Sequence, residues 1–177
     1  MLMLIFKCAW FLLPAALSNT FASLGSKLPV PGFLGKPINE GLFGSHKTFR
    51  GFVVGPLTGI LAAWIQSWLY LNFPFFAQNT MINYSKASFL IVGFLLGFGA
   101  LTGDLIKSFF KRRFGKRPGE DWFPWDELDW AIGALIFISL IYLPNLEELI
   151  KTLIIYFLVH VASDRVAYFT GIKKTPN

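Results

Sequence analysis

The 177-residue chain has one cysteine, Cys8, two histidines, His46 and His160, and ten acidic residues against sixteen basic ones. A single cysteine excludes an intrachain disulfide framework and any zinc site made from several cysteines. No Ser-His-Asp or Cys-His arrangement is evident, so covalent catalysis has no visible nucleophile–base pair. Charge is scarce as well: 15% of residues are Asp, Glu, Lys or Arg, against about 25% in a soluble domain. Hydrophobic residues make up 54%, and Phe alone occurs 20 times. A globule of this composition could not cover itself without large apolar patches, which excludes a soluble monomer. The same numbers exclude intrinsic disorder. What remains is an all-α polytopic membrane protein, in which the net charge of +6 has to be read by position.

A helix crossing the hydrocarbon core needs about 20 mostly apolar residues. Five stretches are expected to form spans of a single membrane domain, at about 2–24, 52–73, 87–106, 129–146 and 147–168. The first carries one charge, Lys7. Its lack of a basic start and its internal Pro14 argue against a cleaved signal peptide. The second lies in a charge-free run and ends at Asn72, Phe73 and Pro74; Lys86 and Asp104 bracket the third, and Asp129 and Glu147 the fourth. The fifth is the least apolar. Lys151 can snorkel at one end and Asp164 with Arg165 at the other; from Glu147 to Arg165 a helix reaches roughly 28 Å.

Basic residues cluster in two loops, 25–51 and 107–128, and at the C-terminus. The first loop holds Lys27, Lys36, Lys47 and Arg50; the second holds Lys107, Lys111, Arg112, Arg113, Lys116 and Arg117; the tail holds Arg165, Lys173 and Lys174. With five spans all of these fall on one side, which the positive-inside rule makes cytoplasmic. The N-terminus is then outside, the C-terminus inside, and Trp122, Trp125 and Trp130 near the inner interface. Polar chemistry is expected on the cytoplasmic face of a cell membrane.

Three groups of residues carry candidate chemistry. His46, Lys47, Thr48 and Arg50 put cations and a hydroxyl just before a span, as a phosphate cradle or as an ordinary basic turn. Asp104, Ser108 and Lys111 share one helical face, being four and then three residues apart, with Leu105, Ile106, Phe109 and Phe110 supplying the apolar side. An ionisable residue at the end of a span is a functional suspect, although Asp104 could equally pair with Lys107 or Lys111 in the headgroup zone. Asp126 and Asp129 are three residues apart at the start of the fourth span. Two carboxylates so placed suit Mg²⁺, which takes one or two protein carboxylates and fills its remaining positions with water and phosphate oxygens. Helix capping is the competing explanation.

Cationic side chains beside hard-oxygen carboxylates, with no nucleophile, fit phosphoryl or nucleotidyl transfer. Nucleic acid is not the expected partner; a nucleotide or an anionic lipid fits a basic surface laid against a membrane. A transporter would need polar residues deep in the spans, and there Gln66 and Ser67 stand nearly alone, while Gly93, Gly97 and Gly99 permit close helix packing. A purely structural subunit would leave the charge clustering unexplained.

Residues 103–129 resemble the signature of the CTP-dependent phosphatidate cytidylyltransferases, S-x-x-K-R, then PG, then D-R-x-D. The corresponding residues are Ser108, Lys111 and Arg112, then Pro118 and Gly119, then Asp126 and Asp129. Glu127 replaces the arginine of that pattern, and Trp122 to Trp125 replaces a glycine-rich approach. These departures, the short chain and the segments Gly35–Ile38 and His46–Gly51 closely resemble the archaeal branch, the CDP-archaeol synthase family. The resemblance implies a Mg²⁺-dependent enzyme that transfers CMP from CTP to 2,3-bis-O-geranylgeranyl-sn-glycerol 1-phosphate, an isoprenoid glycerol phosphate lipid, and releases diphosphate. It implies Asp126 and Asp129, assisted by Asp104, as metal ligands. Lys111 and Arg112 would face the leaving diphosphate, Lys47 and Arg50 with His46 and Thr48 the phosphates, and Ser108 would donate a hydrogen bond. CDP-diacylglycerol synthesis from ester phosphatidate is the nearest alternative pairing.

Overall fold

The structure, a computed structural model, describes residues 2–25, 32–117, 120 and 122–169, without the side chains of 159, 163, 164 and 166–169. Lys27, Pro118, Gly119, Lys173 and Lys174 lie outside the described residues, as does the side chain of Asp164. The described chain is helical, with no strand beyond an isolated Pro37–Thr48 bridge. Its helices are α1 (Leu2–Gly25), α2 (Glu40–Phe43), α3 (Phe49–Asn72), α4 (Pro74–Asn79), α5 (Phe89–Arg113), α6 (Trp125–Ile138) and α7 (Leu146–Phe169), with a 3-10 turn at Phe33–Gly35. Among the described residues α1, α3 and α5 are long and apolar enough to cross a membrane.

Helix ends follow local chemistry. Thr48 caps α3 by accepting a hydrogen bond from the Gly51 N–H at 3.2 Å. Asn145 and Glu148 form a reciprocal capping box at the start of α7: the Glu148 N–H donates to Asn145 Oδ1 at 2.8 Å, and the Asn145 N–H to Glu148 Oε2 at 3.3 Å. Gly44 closes α2 with φ 89°, a left-handed conformation natural to glycine.

The third expected span is one uninterrupted helix that continues through its amphipathic extension to Arg113. The fourth departs from expectation. An apolar run at 129–146 is not one helix: α6 begins at Trp125 and ends at Ile138, and a non-helical stretch covers 139–145. The Ser139 hydroxyl donates to the Ile136 carbonyl, and Pro144 cannot prolong a helix from within. Fourteen residues reach about 21 Å, less than a hydrocarbon core of about 30 Å. Helix α7 matches the fifth stretch to within a residue at each end, with Glu147, Glu148 and Lys151 in its first turns.

Glycine sets the helix packing. A Cβ on Gly59 would meet the Gly93 carbonyl at 2.5 Å, and one on Gly133 would meet the Gly99 carbonyl at 2.3 Å. Backbones therefore touch where α3 crosses α5 and where α5 crosses α6, as small residues allow in membranes. Contacts run antiparallel along each pair: Gly51 lies by Ala22 and Gln66 by Trp10, Gly55 by Leu101 and Gly59 by Gly93, Gly103 by Asp129 and Gly99 by Phe137. The end of α1, the start of α3, the end of α5 and the start of α6 thus meet at one end of the bundle. The candidate side chains from the sequence come from these segments and from the loop that leads into α3.

Candidate functional site

Helix α5 carries Asp104, Lys107 and Lys111 on successive turns of one face. Gly103 lets α6 approach so closely that a Cβ there would meet the Asp129 carbonyl at 2.2 Å. That approach delivers Asp126 and Asp129 to the α5 face. Lys107 Nζ lies 2.8 Å from Asp126 Oδ1, 2.9 Å from Asp129 Oδ2 and 3.3 Å from Asp104 Oδ1. Lys111 Nζ donates to both oxygens of Asp126, at 3.0 and 2.9 Å. From the first loop, Lys47 pairs with Asp104 Oδ2. Three carboxylates and three ammonium groups therefore form one connected cluster. Asp126 lies in the first turn of α6 and accepts from the Trp122 N–H at 2.6 Å.

Two cavities flank this cluster. An apolar one of about 580 Å³ between α5 and α6 is lined by Ile106, Phe110, Trp122, Trp125, Ile136 and Phe137, with Lys107 and Asp129 at its polar end. Ile106, Phe110, Trp125 and Ile136 are about half exposed, so the cavity opens sideways on the surface that would face lipid. A polar one of about 220 Å³ is lined by Asn19, Ser23, His46, Lys47, Thr48 and Asp104. At about 100° per residue, the α5 residues lining the first cavity and those lining the second fall on roughly opposite faces. Asp104 and Lys107 form the seam between them.

The candidate residues divide accordingly. Asp104, Asp126, Asp129, Lys111 and Lys47 are in the cluster, and His46 and Thr48 line the polar cavity. Ser108 is buried within α5. Arg50 is buried, and its Nη1 donates to the Gly25 carbonyl at 3.1 Å, satisfying the C-terminal end of α1. Arg112 lines a separate cavity with Gly41, Leu42, Phe109 and Arg113. The sequence reading missed Lys107 as a member of the site, treating it as a topology signal and a possible partner of Asp104. Its spacing was the available clue: three residues after Asp104 and four before Lys111, it shares their face.

Among the described residues, no group of three or more Asp, Glu, His or Cys is arranged at metal-binding distances. Within the cluster the carboxylate oxygens lie 2.8 to 3.3 Å from the Lys107 ammonium, farther than the roughly 2.1 Å at which Mg²⁺ holds its oxygens. The donor set itself fits a hard cation, since three carboxylates converge on one positively charged point. Asp129 Oδ2 is buried, and its contact with the Lys107 ammonium at 2.9 Å is an ion pair without a well-directed hydrogen bond.

Fold and site together define an intramembrane helical enzyme that brings a charged, oxygen-rich centre up against an apolar cavity. A sequence model described as "CarS-like: CDP-archaeol synthase" matches residues 1–177, and the chain belongs to that family. The CDP-archaeol synthase of Methanococcoides burtonii is 38% identical over 93% of this chain and 99% of its own length. That of Methanospirillum hungatei is 36% identical over the same shares. A solved structure described as "Structural insight into an intramembrane enzyme for archaeal membrane lipids biosynthesis" superposes with a TM-score of 0.61 at 26% identity, covering 90% of this chain and 94% of the other. The chain is thus a membrane nucleotidyltransferase of lipid biosynthesis, which sets aside the transporter and structural-subunit alternatives.

Proposed function

We propose that the enzyme transfers CMP from CTP to 2,3-bis-O-geranylgeranyl-sn-glycerol 1-phosphate, releasing diphosphate, on the cytoplasmic face of the cell membrane. The observation that carries this reading is the charged cluster at the seam of a polar and an apolar cavity. Two polyanions, one water-soluble and one bearing hydrocarbon, need such a seam in order to meet.

In this reading Lys47, with His46 and Thr48, takes the nucleotide phosphates in the polar cavity. The isoprenoid chains enter sideways along Ile106, Phe110 and Ile136, and the lipid phosphate stops at the polar end of that cavity. A lipid phosphate oxygen attacks the α-phosphorus as the bond from it to the β-phosphate bridging oxygen breaks, and diphosphate departs beside Lys111. Asp104, Asp126 and Asp129 would hold Mg²⁺, whose chemistry when bound is charge neutralisation and phosphoryl polarisation. Arg50 supports the site by tying the end of α1 to the start of α3. Ser108 and Arg112 contribute from α5 without entering either flanking cavity. The expected topology has five spans, the N-terminus outside and α6 as a shortened fourth span.

The test is diphosphate release from labelled CTP by purified protein with Mg²⁺ and the ether lipid phosphate. Release only when the lipid is present supports the reading. Faster turnover with ester phosphatidate than with the ether lipid would assign the enzyme to diacyl substrates, and release without lipid would overturn the transfer itself.

A further inference from the structure

We propose that Lys107 is an internal cation that fills the carboxylate cradle in the free enzyme, and that the divalent ion arriving with the nucleotide displaces it into the apolar cavity to receive the lipid phosphate. This inference rests on the nucleotidyl-transfer reading above and adds a moving part to it. Among the described residues Lys107 is the one whose ammonium contacts all three carboxylates, at 2.8, 2.9 and 3.3 Å. Those are the oxygens that a hard cation would use, and an ammonium cannot share the space: oxygens drawn in to about 2.1 Å around Mg²⁺ leave no room for the nitrogen.

Charge leads to the same conclusion. With Lys47, Lys107 and Lys111 the three carboxylates are already balanced. A divalent ion added to the intact cluster would confront Lys107 at van der Waals range, whereas a displaced Lys107 leaves room for both charges. The displaced group has a destination. Lys107 lines the apolar cavity, and its four-carbon stem can swing a strongly hydrated point charge between neighbouring sites. The ammonium would then meet the lipid phosphate only after metal and nucleotide are in place, which orders substrate use: CTP first, lipid second. In the free enzyme Asp104, on the polar side of the seam, also pairs with Lys47.

Mn²⁺ binding to the full-length protein in detergent, followed by electron paramagnetic resonance with and without CTP, tests this. Lys107→Gln removes the competitor. Its Mn²⁺ affinity should rise on the order of tenfold, a modest share of what a unit charge at about 4 Å supplies, while the KM for lipid phosphate rises more than the KM for CTP. Affinity in Lys107→Gln equal to or weaker than wild type overturns the displacement. A second measurement needs no variant: amine acylation of the wild type, read by peptide mass spectrometry, should be several-fold faster at Lys107 with Mn²⁺ and CTP than with chelator, and equal rates overturn the inference. A wild-type enzyme that binds no Mn²⁺ in either condition removes the metal reading and this inference together. One that binds Mn²⁺ while Lys107→Gln binds no tighter removes this inference alone.

Discussion

Two polar clusters, one buried and one part-buried, stand at opposite ends of the bundle, and they are built on different logic. Near the start of α1, Pro14 has no N–H to give and so frees the Trp10 carbonyl one turn earlier. Gln66 of α3 donates to that carbonyl at 2.6 Å, and its own oxygen accepts from the Tyr84 hydroxyl at 2.7 Å. This chain is neutral, and both ends of the Gln66 amide are engaged. At the other end, three carboxylates share three ammonium groups, and Asp129 Oδ2 is buried without a well-directed bond. A low-dielectric interior makes charge expensive, so a neutral network with both amide ends engaged is a fold device, whereas six charges gathered in one place mark chemistry. The contrast also accounts for Gln66, which with Ser67 was an exception in otherwise apolar spans. It spans from one helix to another and leads nowhere.

The largest effect that would sharpen the contrast is loss of catalysis at the charged end with the fold intact. Asp129→Asn should lower diphosphate release by about a thousandfold or more, with a thermal transition in detergent close to wild type. Near-normal turnover would make the charged cluster as structural as the neutral one. Next, Gly103→Ala drives a methyl group to 2.2 Å from the Asp129 carbonyl. Backbone cannot yield as a flexible side chain does, so α5 and α6 should separate, at a cost of about 1 to 3 kcal/mol and with most activity lost. Unchanged melting and turnover would deny that this crossing sets the site. Tyr84→Phe should reverse the pattern of Asp129→Asn: the Gln66 oxygen loses its donor, stability falls by about 1 kcal/mol, and kcat stays near wild type. A drop in kcat larger than the drop in stability would tie the two ends together. Smallest of all, Lys151→Ala breaks an exposed pair with Glu147 and should change neither melting nor activity measurably, since such pairs contribute little.

Much of this was legible in order along the chain. The apolar runs marked α1, α3 and α5, and the basic loops marked the end at which the chemistry gathers. Asp104, Asp126, Asp129, Lys111, Lys47, His46 and Thr48 were all visible as candidates. The end of α6 at Ile138 was not, because an apolar run reads the same whether or not its last third is helical, and Pro144 acts several residues beyond the break. Arg50 and Arg112 were indistinguishable from the other cations in sequence. One turned out to satisfy the end of α1 and the other to face a separate cavity.

Sequence alone determined that the chain enters a membrane as helices, since hydrocarbon leaves a backbone no other way to satisfy its own polar groups within a segment. It also determined which side chains could carry charge at one end of the bundle. Only the tertiary structure decided that Lys107 stands among three carboxylates with a polar cavity on one side and an apolar cavity on the other. Helical spacing fixes what shares a face within one helix. Which faces meet is fixed by backbone contact at Gly99, Gly103 and Gly133, residues that carry no charge themselves and bring α6 close enough for its carboxylates to reach α5.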